Sequence, residues 1–219
     1  MPTDDELVGF FHRHLVPVLF AFEKEDDVQR VVLTAFVLSV SDQWFLITAG
    51  HCIRDIEARI GYYGYDNSRS WLIDSLGLGA THAQPIPFVY KDSLPTQLSD
   101  KYDFDYGVMV LSPYYRQLLE ANNVQALNEE VWKKQPTQVD VYALLGIPGE
   151  LVKFDSTSIE LTPTLHTIER VGEMPKGFTK VDVPLFYGRI VLAEDMSSIK
   201  GMSGGPVFGF HHNDKGELR

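Results

Sequence analysis

The chain has 219 residues, of which 44% are hydrophobic and 22% charged. That length and balance suit one globular unit or two small halves around a real core, and they exclude a disordered, collagen-like or disulfide-stapled chain. The 30 acidic and 19 basic residues give a formal charge of −11, and without a basic block the chain is a poor ligand for nucleic acid or an anionic membrane.

Taken in order, Thr3 and Glu6 have capping-box spacing, and Leu7, Val8, Phe10, Phe11 and Leu15 fit one helical face. A short N-terminal helix or packing arm over 1–17, ending near Pro17, is predicted. The N-terminus starts acidic and lacks the basic region and cleavage site of an export signal. The longest apolar run, Val31 to Val40, is too short to span a bilayer. Cys52 is the single cysteine, so no intrachain disulfide forms. Together these features give the expectation of a protein of a reducing compartment, the cytoplasm.

From Val18 the pattern changes to short apolar runs separated by turn residues. Strands are predicted at VLFAF, VVLTAFVLSV, WFLIT, EARIGYYGY, RSWLIDSLG and GVMVL. Ser112 followed by Pro113 then opens a helical stretch, YYRQLLEANN, and NEEVWKK adds a second. Strands resume at VDVYALLG, LVKFDS, SIELTP, HTIERV, VPLFYGRIVL and GPVFGF. The pattern reads as an all-β fold in two halves joined by a helical connection.

Three segments carry chemistry when taken together. Thr48-Ala49-Gly50-His51-Cys52 follows the strand WFLI. Asp103-Phe104-Asp105-Tyr106-Gly107 leads into VMVL. Gly201-Met202-Ser203-Gly204-Gly205-Pro206 leads into VFGF. A serine hydroxyl is a weak nucleophile until a base takes its proton, and an imidazole with a pKa near ~6.5 is the best base at neutral pH. A buried carboxylate then holds the imidazole in one tautomer, and a glycine-rich turn aims backbone N–H groups at a developing oxyanion.

These segments, in the order His, Asp, Ser, resemble the motifs of the chymotrypsin-like (trypsin-like) serine peptidases. The resemblance covers about Val28 to Phe210 and is to a cytosolic, bacterial type of member. It implies two Greek-key β-barrels: an arm at 1–17, a first barrel over 18–112, a helical connection over 113–135 and a second barrel over 136–219. It also implies His51 as general base, Asp105 as orienting carboxylate, Ser203 as nucleophile, and the N–H groups of Gly201 and Ser203 as the oxyanion hole. Asp105 is preferred to Asp103 because an apolar residue, a small residue and a strand follow it. Ala143 to Gly149 resembles the strand and Gly-x-Pro segment of many bacterial members.

The sequence departs from that pattern in three places. Cys52 has no disulfide partner and is expected to be a small buried apolar residue. Met202 stands where members activated by cleavage carry an aspartate, so activity is expected without N-terminal processing at Arg30. Only 16 residues follow Ser203, so the second barrel is expected to be incomplete at the C-terminus. By the same resemblance Ser197, with Ser198 beside it, lies at the base of the specificity pocket. A neutral hydroxyl there disfavours a basic P1 residue and favours an apolar or small one, unless the loop register brings Asp195 to that place.

No cofactor and no metal site are expected; His12/His14 and His211/His212 are too sparse for ligation. The leading expectation is a serine endopeptidase acting on a protein or peptide substrate, as an effector domain of a larger or immune-defence assembly with further domains or subunits. The alternative is a protease-fold binding module that is catalytically silent.

Overall fold

The computed structural model describes residues 9–24, 27–61, 66–90, 105–133, 139–177, 185–192, 196–212 and 215–216. Thr3, Glu6, Asp103 and Asp195 lie outside them.

Antiparallel pairing dominates the first half. Strands β1 (Val18–Lys24), β2 (Asp27–Leu33), β5 (Asp66–Leu72) and β6 (Ile86–Pro87) form one sheet in the order β2-β1-β5-β6. Strands β3 (Phe36–Val40), β4 (Gln43–Thr48) and β7 (Gly107–Val110) form a second, β3-β4-β7. The β3–β4 hairpin closes on Ser41 and Asp42, both with positive φ, the two-residue turn whose twist matches the strands. Phe20, Phe22, Val37, Leu46, Leu72, Met109 and Leu111 fill one core with no or almost no exposure.

Helix α1 (Gly50–Gly61) follows β4 and seals this core with Ile53 and Ile56, while Ile60 packs at its edge. Its last five residues fall in the run EARIGYYGY, expected to be a strand. The apolar spacing Ile53, Ile56, Ile60 is helical, Arg59 sits in the last turn where it suits the helix dipole, and Gly61 ends it. The run VVLTAFVLSV is likewise not one strand. It breaks at Thr34-Ala35, where the chain passes from one sheet to the other.

Helices α2 (Pro113–Ala121) and α3 (Glu129–Trp132) form the connection. Leu119 of α2 is buried in the first-half core, and Asn128 caps α3 by accepting from Glu130 N–H. In the second half, β8 (Val141–Gly146), β11 (Thr164–Val171), β12 (Tyr187–Ile190) and β13 (Val207–Phe210) are ordered β12-β11-β8-β13, and β9 (Val152–Phe154) pairs with β10 (Ile159–Leu161). Its core is smaller: Ala143, Leu145, Ile147, Ile168 and Met202 are buried. The all-β expectation holds, with each sheet an open antiparallel ladder among the described residues. Among those residues no helix is long and apolar enough to cross a membrane.

The N-terminal segment is helical over 9–12 and already extended at Leu15, which bridges to Phe36. The helix therefore stops short of Pro17: the β bridge captures the chain first. Phe11 packs on Phe208 and Phe210 of the second half, at ring separations of 5.1 and 5.5 Å, while the His14 ring bonds to the Gln125 carbonyl at 2.7 Å. His12 is buried, and its Nε2 has no partner among the described residues. Burial pushes its pKa down to about 4; burial lowers that of His14 too.

In the unfolded chain a histidine titrates near ~6.5. Between that value and about 4 the unfolded chain thus binds more protons than the native one at His12, so stability falls as pH drops through this window. Urea unfolding at a series of pH values should show a loss reaching about 3 kcal/mol from His12 by pH ~4, and His12→Leu should flatten the fall. A profile identical in wild type and His12→Leu would contradict the buried, neutral state.

Candidate active site

His51 is the second residue of α1, and Asp105 lies two residues before β7. Because β7 pairs with β4, joining Thr48 to Gly107, the start of the helix and the approach to β7 leave the sheet side by side. The Asp105 carboxylate turns back onto the helix. Its Oδ1 accepts from the His51 backbone N–H at 2.6 Å, and its Oδ2 accepts from the His51 ring at Nδ1. A carboxylate only accepts, so the ring nitrogen facing it carries the proton and Nε2 is left as the basic nitrogen.

A third donor was not legible as such in the sequence. Arg54, one helical turn after His51, donates from Nη2 to Asp105 Oδ1 at 3.0 Å. Burial opposes ionisation of Asp105, but the His51 ring and backbone bonds, the imidazole charge and the Arg54 guanidinium outweigh it, and the carboxyl stays below its usual range. The expected burial is corrected here: the Asp105 side chain is 44% exposed and that of His51 46%. Fixed donors, not a dry pocket, hold the carboxylate.

The serine segment comes from the second half. Gly201 and Gly204 have φ of +100° and +93°, a conformation that a side chain strains. A Cβ at Gly204 would lie 2.5 Å from Thr48 Oγ1 and 2.7 Å from Ala49 N, so the serine loop is seated on the turn that leads into the histidine helix. The Ser203 carbonyl is 4.0 Å from Cys52 Sγ. Burial raises the Cys52 thiol to about 11, with Asp55 and Asp105 adding to the rise, which keeps it a thiol at neutral pH.

Thr34, at the β2–β3 break, locks this arrangement. Its buried hydroxyl donates to the Gly201 carbonyl at 2.7 Å and accepts from Ile147 N–H at 3.1 Å, and its own carbonyl accepts from Thr48 Oγ1 at 2.7 Å.

Ser203 is exposed. Among the described residues its Oγ is not hydrogen-bonded to His51; a bond of this kind tightens when substrate seats. The N–H groups of Gly201 and Ser203 have no acceptor among the described residues. Ser203 is exposed and Gly201 half-buried, between them the buried Met202.

No protein-family model and no curated protein matches the sequence. Solved structures do. A thermostable serine protease from an extremophilic microorganism matches 90% of this chain and 79% of its own at 18% identity, with a TM-score of 0.46. An inactivated protease paralogue of the scabies mite matches 99% of this chain and 88% of its own at 14% identity, with a TM-score of 0.52. The chain has the chymotrypsin-like serine-protease fold. At these identities the likeness carries the chymotrypsin-like fold alone, and what the site does is argued from its own groups.

Ser197 and Ser198 have company that the sequence did not suggest. The Glu150 carboxylate accepts from Ser197 Oγ and, at 3.0 Å, from Ser197 N–H. The expectation that the neutral Ser197 hydroxyl leaves this place without a counter-charge meets a carboxylate bonded to that hydroxyl. The signal for Thr34 was a polar residue inside the apolar run Val31 to Val40, which Ser39 also interrupts. Arg54 gave no signal in the sequence, because the helix that carries it one turn after His51 was not predicted there.

Replacing Thr34 by Val keeps the shape and removes the hydroxyl, leaving the Ile147 N–H and Gly201 carbonyl without their partner. Chemical denaturation should show a loss of about 1–3 kcal/mol, and Thr34→Ser should recover most of it. Equal stability of wild type and Thr34→Val would mean the hydroxyl does not tie the halves.

Proposed function

We propose that the protein is a serine-type endopeptidase acting on protein or peptide substrates, with His51, Asp105 and Ser203 as its catalytic groups and the N–H groups of Gly201 and Ser203 as oxyanion donors. The observation that carries this reading is the His51 ring, held at Nδ1 by a carboxylate and with no bond at Nε2 among the described residues, beside a loop that presents an exposed Ser203 and two N–H donors without an acceptor among those residues.

In this mechanism Ser203 Oγ attacks the peptide carbonyl carbon while His51 Nε2 takes its proton. The new C–O bond pushes electron density onto the carbonyl oxygen, which the two N–H groups receive. The C–N bond then breaks, and the imidazolium gives its proton to the departing amine. Water attacks the acyl-enzyme ester, His51 again taking a proton, and cleavage of the ester C–O bond returns that proton to Ser203. Asp105 stabilises the imidazolium in both halves, and Arg54 fixes the carboxylate while drawing off part of its charge. Met202 is buried and apolar, so no ion pair with a newly formed N-terminus is needed to order the loop. We further propose a cytoplasmic setting, with additional domains or subunits around this chain.

A fluorophosphonate probe should label the intact chain at Ser203, and Ser203→Ala should abolish labelling with the fold unchanged. No labelling of correctly folded wild type would favour the silent binding module. Asp105→Asn should lower turnover by about 10⁴-fold, the loss typical when the orienting carboxylate of such a triad becomes an amide and the wrong tautomer is held. Turnover equal to wild type would remove Asp105 from the mechanism.

A further inference from the structure

We propose that Glu150 is a positioning residue for the oxyanion loop: its carboxylate clamps the segment 197–200 so that the Gly201 N–H faces the reacting carbonyl. The inference rests on the serine-peptidase reading above and names what keeps that site ordered.

Glu150 lies in the 3₁₀ turn Gly149–Leu151, directly after β8. This turn grips the loop twice. The carboxylate accepts from Ser197 Oγ, from Ser197 N–H at 3.0 Å and from Ser198 N–H at 3.4 Å. One residue earlier, the Gly149 N–H donates to the Lys200 carbonyl at 2.7 Å. Ser198 Oγ in turn accepts from Lys200 N–H at 3.0 Å. Both sides of Lys200 are thereby tied.

A trans peptide points its C=O and the following N–H in opposite directions. Fixing the Lys200 carbonyl towards Gly149 therefore aims the Gly201 N–H away from Gly149, on the free side of the loop. Thr34 fixes the next carbonyl, that of Gly201, and Met202 N–H closes the turn on Ile199. Successive peptide planes are set, yet the N–H groups of Gly201 and Ser203 stay open. Inside the loop, Met202 packs on Gly146 and brings no charge to anchor it. The charged anchor is on the outside, and it is Glu150. The donors on it hold its carboxyl below the usual range, the Ser197 hydroxyl first.

The test compares wild type, Glu150→Ala, Glu150→Gln and Ser197→Ala in the whole chain. The readouts are fluorophosphonate labelling rate at Ser203, affinity for a peptide boronic acid that mimics the tetrahedral intermediate, and KM. Loss of a whole oxyanion donor costs about 10²–10³ in turnover; loss of a support for one should cost less, about tenfold to a hundredfold. Glu150→Ala should lower labelling rate and boronate affinity by that factor while KM stays within about twofold. Glu150→Gln, which keeps an accepting oxygen for Ser197 N–H, should recover most of it, and Ser197→Ala should fall between. Wild-type labelling and boronate affinity in Glu150→Ala would overturn the proposal.

If wild type is not labelled at all, the peptidase reading fails separately. The clamp is then read by amide hydrogen exchange. Glu150→Ala should speed exchange at Gly149 and Met202, whose acceptors lie in the clamped segment, and unchanged exchange at both would overturn it.

Discussion

The site depends first on one buried hydroxyl. Thr34 Oγ1 accepts a hydrogen bond from the Ile147 N–H, in the second half, and donates one to the Gly201 carbonyl, in the serine loop, while the Thr34 carbonyl accepts from Thr48 Oγ1, on the last residue of β4. The candidate groups come from different halves, His51 and Asp105 from the first and Ser203 from the second. Two separately packed sheets locate such groups to a fraction of an ångström only if both are referred to a common rigid point. In a water-excluded corner these hydrogen bonds are strong and leaving them unmade is costly, so Thr34 makes the relative placement of the halves a matter of bond geometry.

The second constraint is how a half-exposed carboxylate is kept useful. Water competes for an exposed anion, and an isolated surface ion pair contributes little. Asp105 meets three donors whose positions are set by a single helix: the His51 N–H, the His51 ring and Arg54. The His51 N–H is one of the unpaired donors that begin α1, where the helix dipole favours negative charge. The carboxylate thus caps the helix and fixes the imidazole at once, and rotation of the ring would break a pair that the helix start continues to hold. Arg54 has an opposing consequence. By sharing the Asp105 charge it leaves less of that charge facing the imidazole.

Much of the fold was legible in the sequence because short apolar runs between turn residues are a direct record of antiparallel strands: β7, β8 and β13 lie within such runs, and β1, β4 and β11 overlap them and extend one or two residues beyond. The errors share a cause. Apolar content without attention to period hides the difference between a strand and a helix, so the end of α1 was read as strand although Ile53, Ile56 and Ile60 keep a helical spacing. A long apolar run likewise concealed the corner at Thr34, the first of its two polar residues, where the chain crosses between sheets. Candidate residues were legible where chemistry needs a particular side chain, as at His51, Asp105 and Ser203. Their supports were not. Arg54 and Glu150 are ordinary charged residues in sequence, and only the folded chain puts one on Asp105 and the other on Ser197.

Fold alone does not decide activity, since the structure that supports the fold assignment here is an inactivated paralogue. Loss of catalysis on a retained fold removes selection on the orientation of a few polar atoms while leaving the core under selection. The features that would drift first are the ones unrelated to stability: an imidazole with one nitrogen held and the other free, a serine left exposed, and backbone donors without acceptors. An unpaired N–H group is costly where it is buried, whereas an exposed one turns to water. Among the described residues the N–H groups of Gly201 and Ser203 are without acceptors beside carbonyls that are each tied by a specific partner, Gly149 for Lys200 and Thr34 for Gly201. The ties that order the loop therefore run through its carbonyls and leave these two donors outside its hydrogen-bond network.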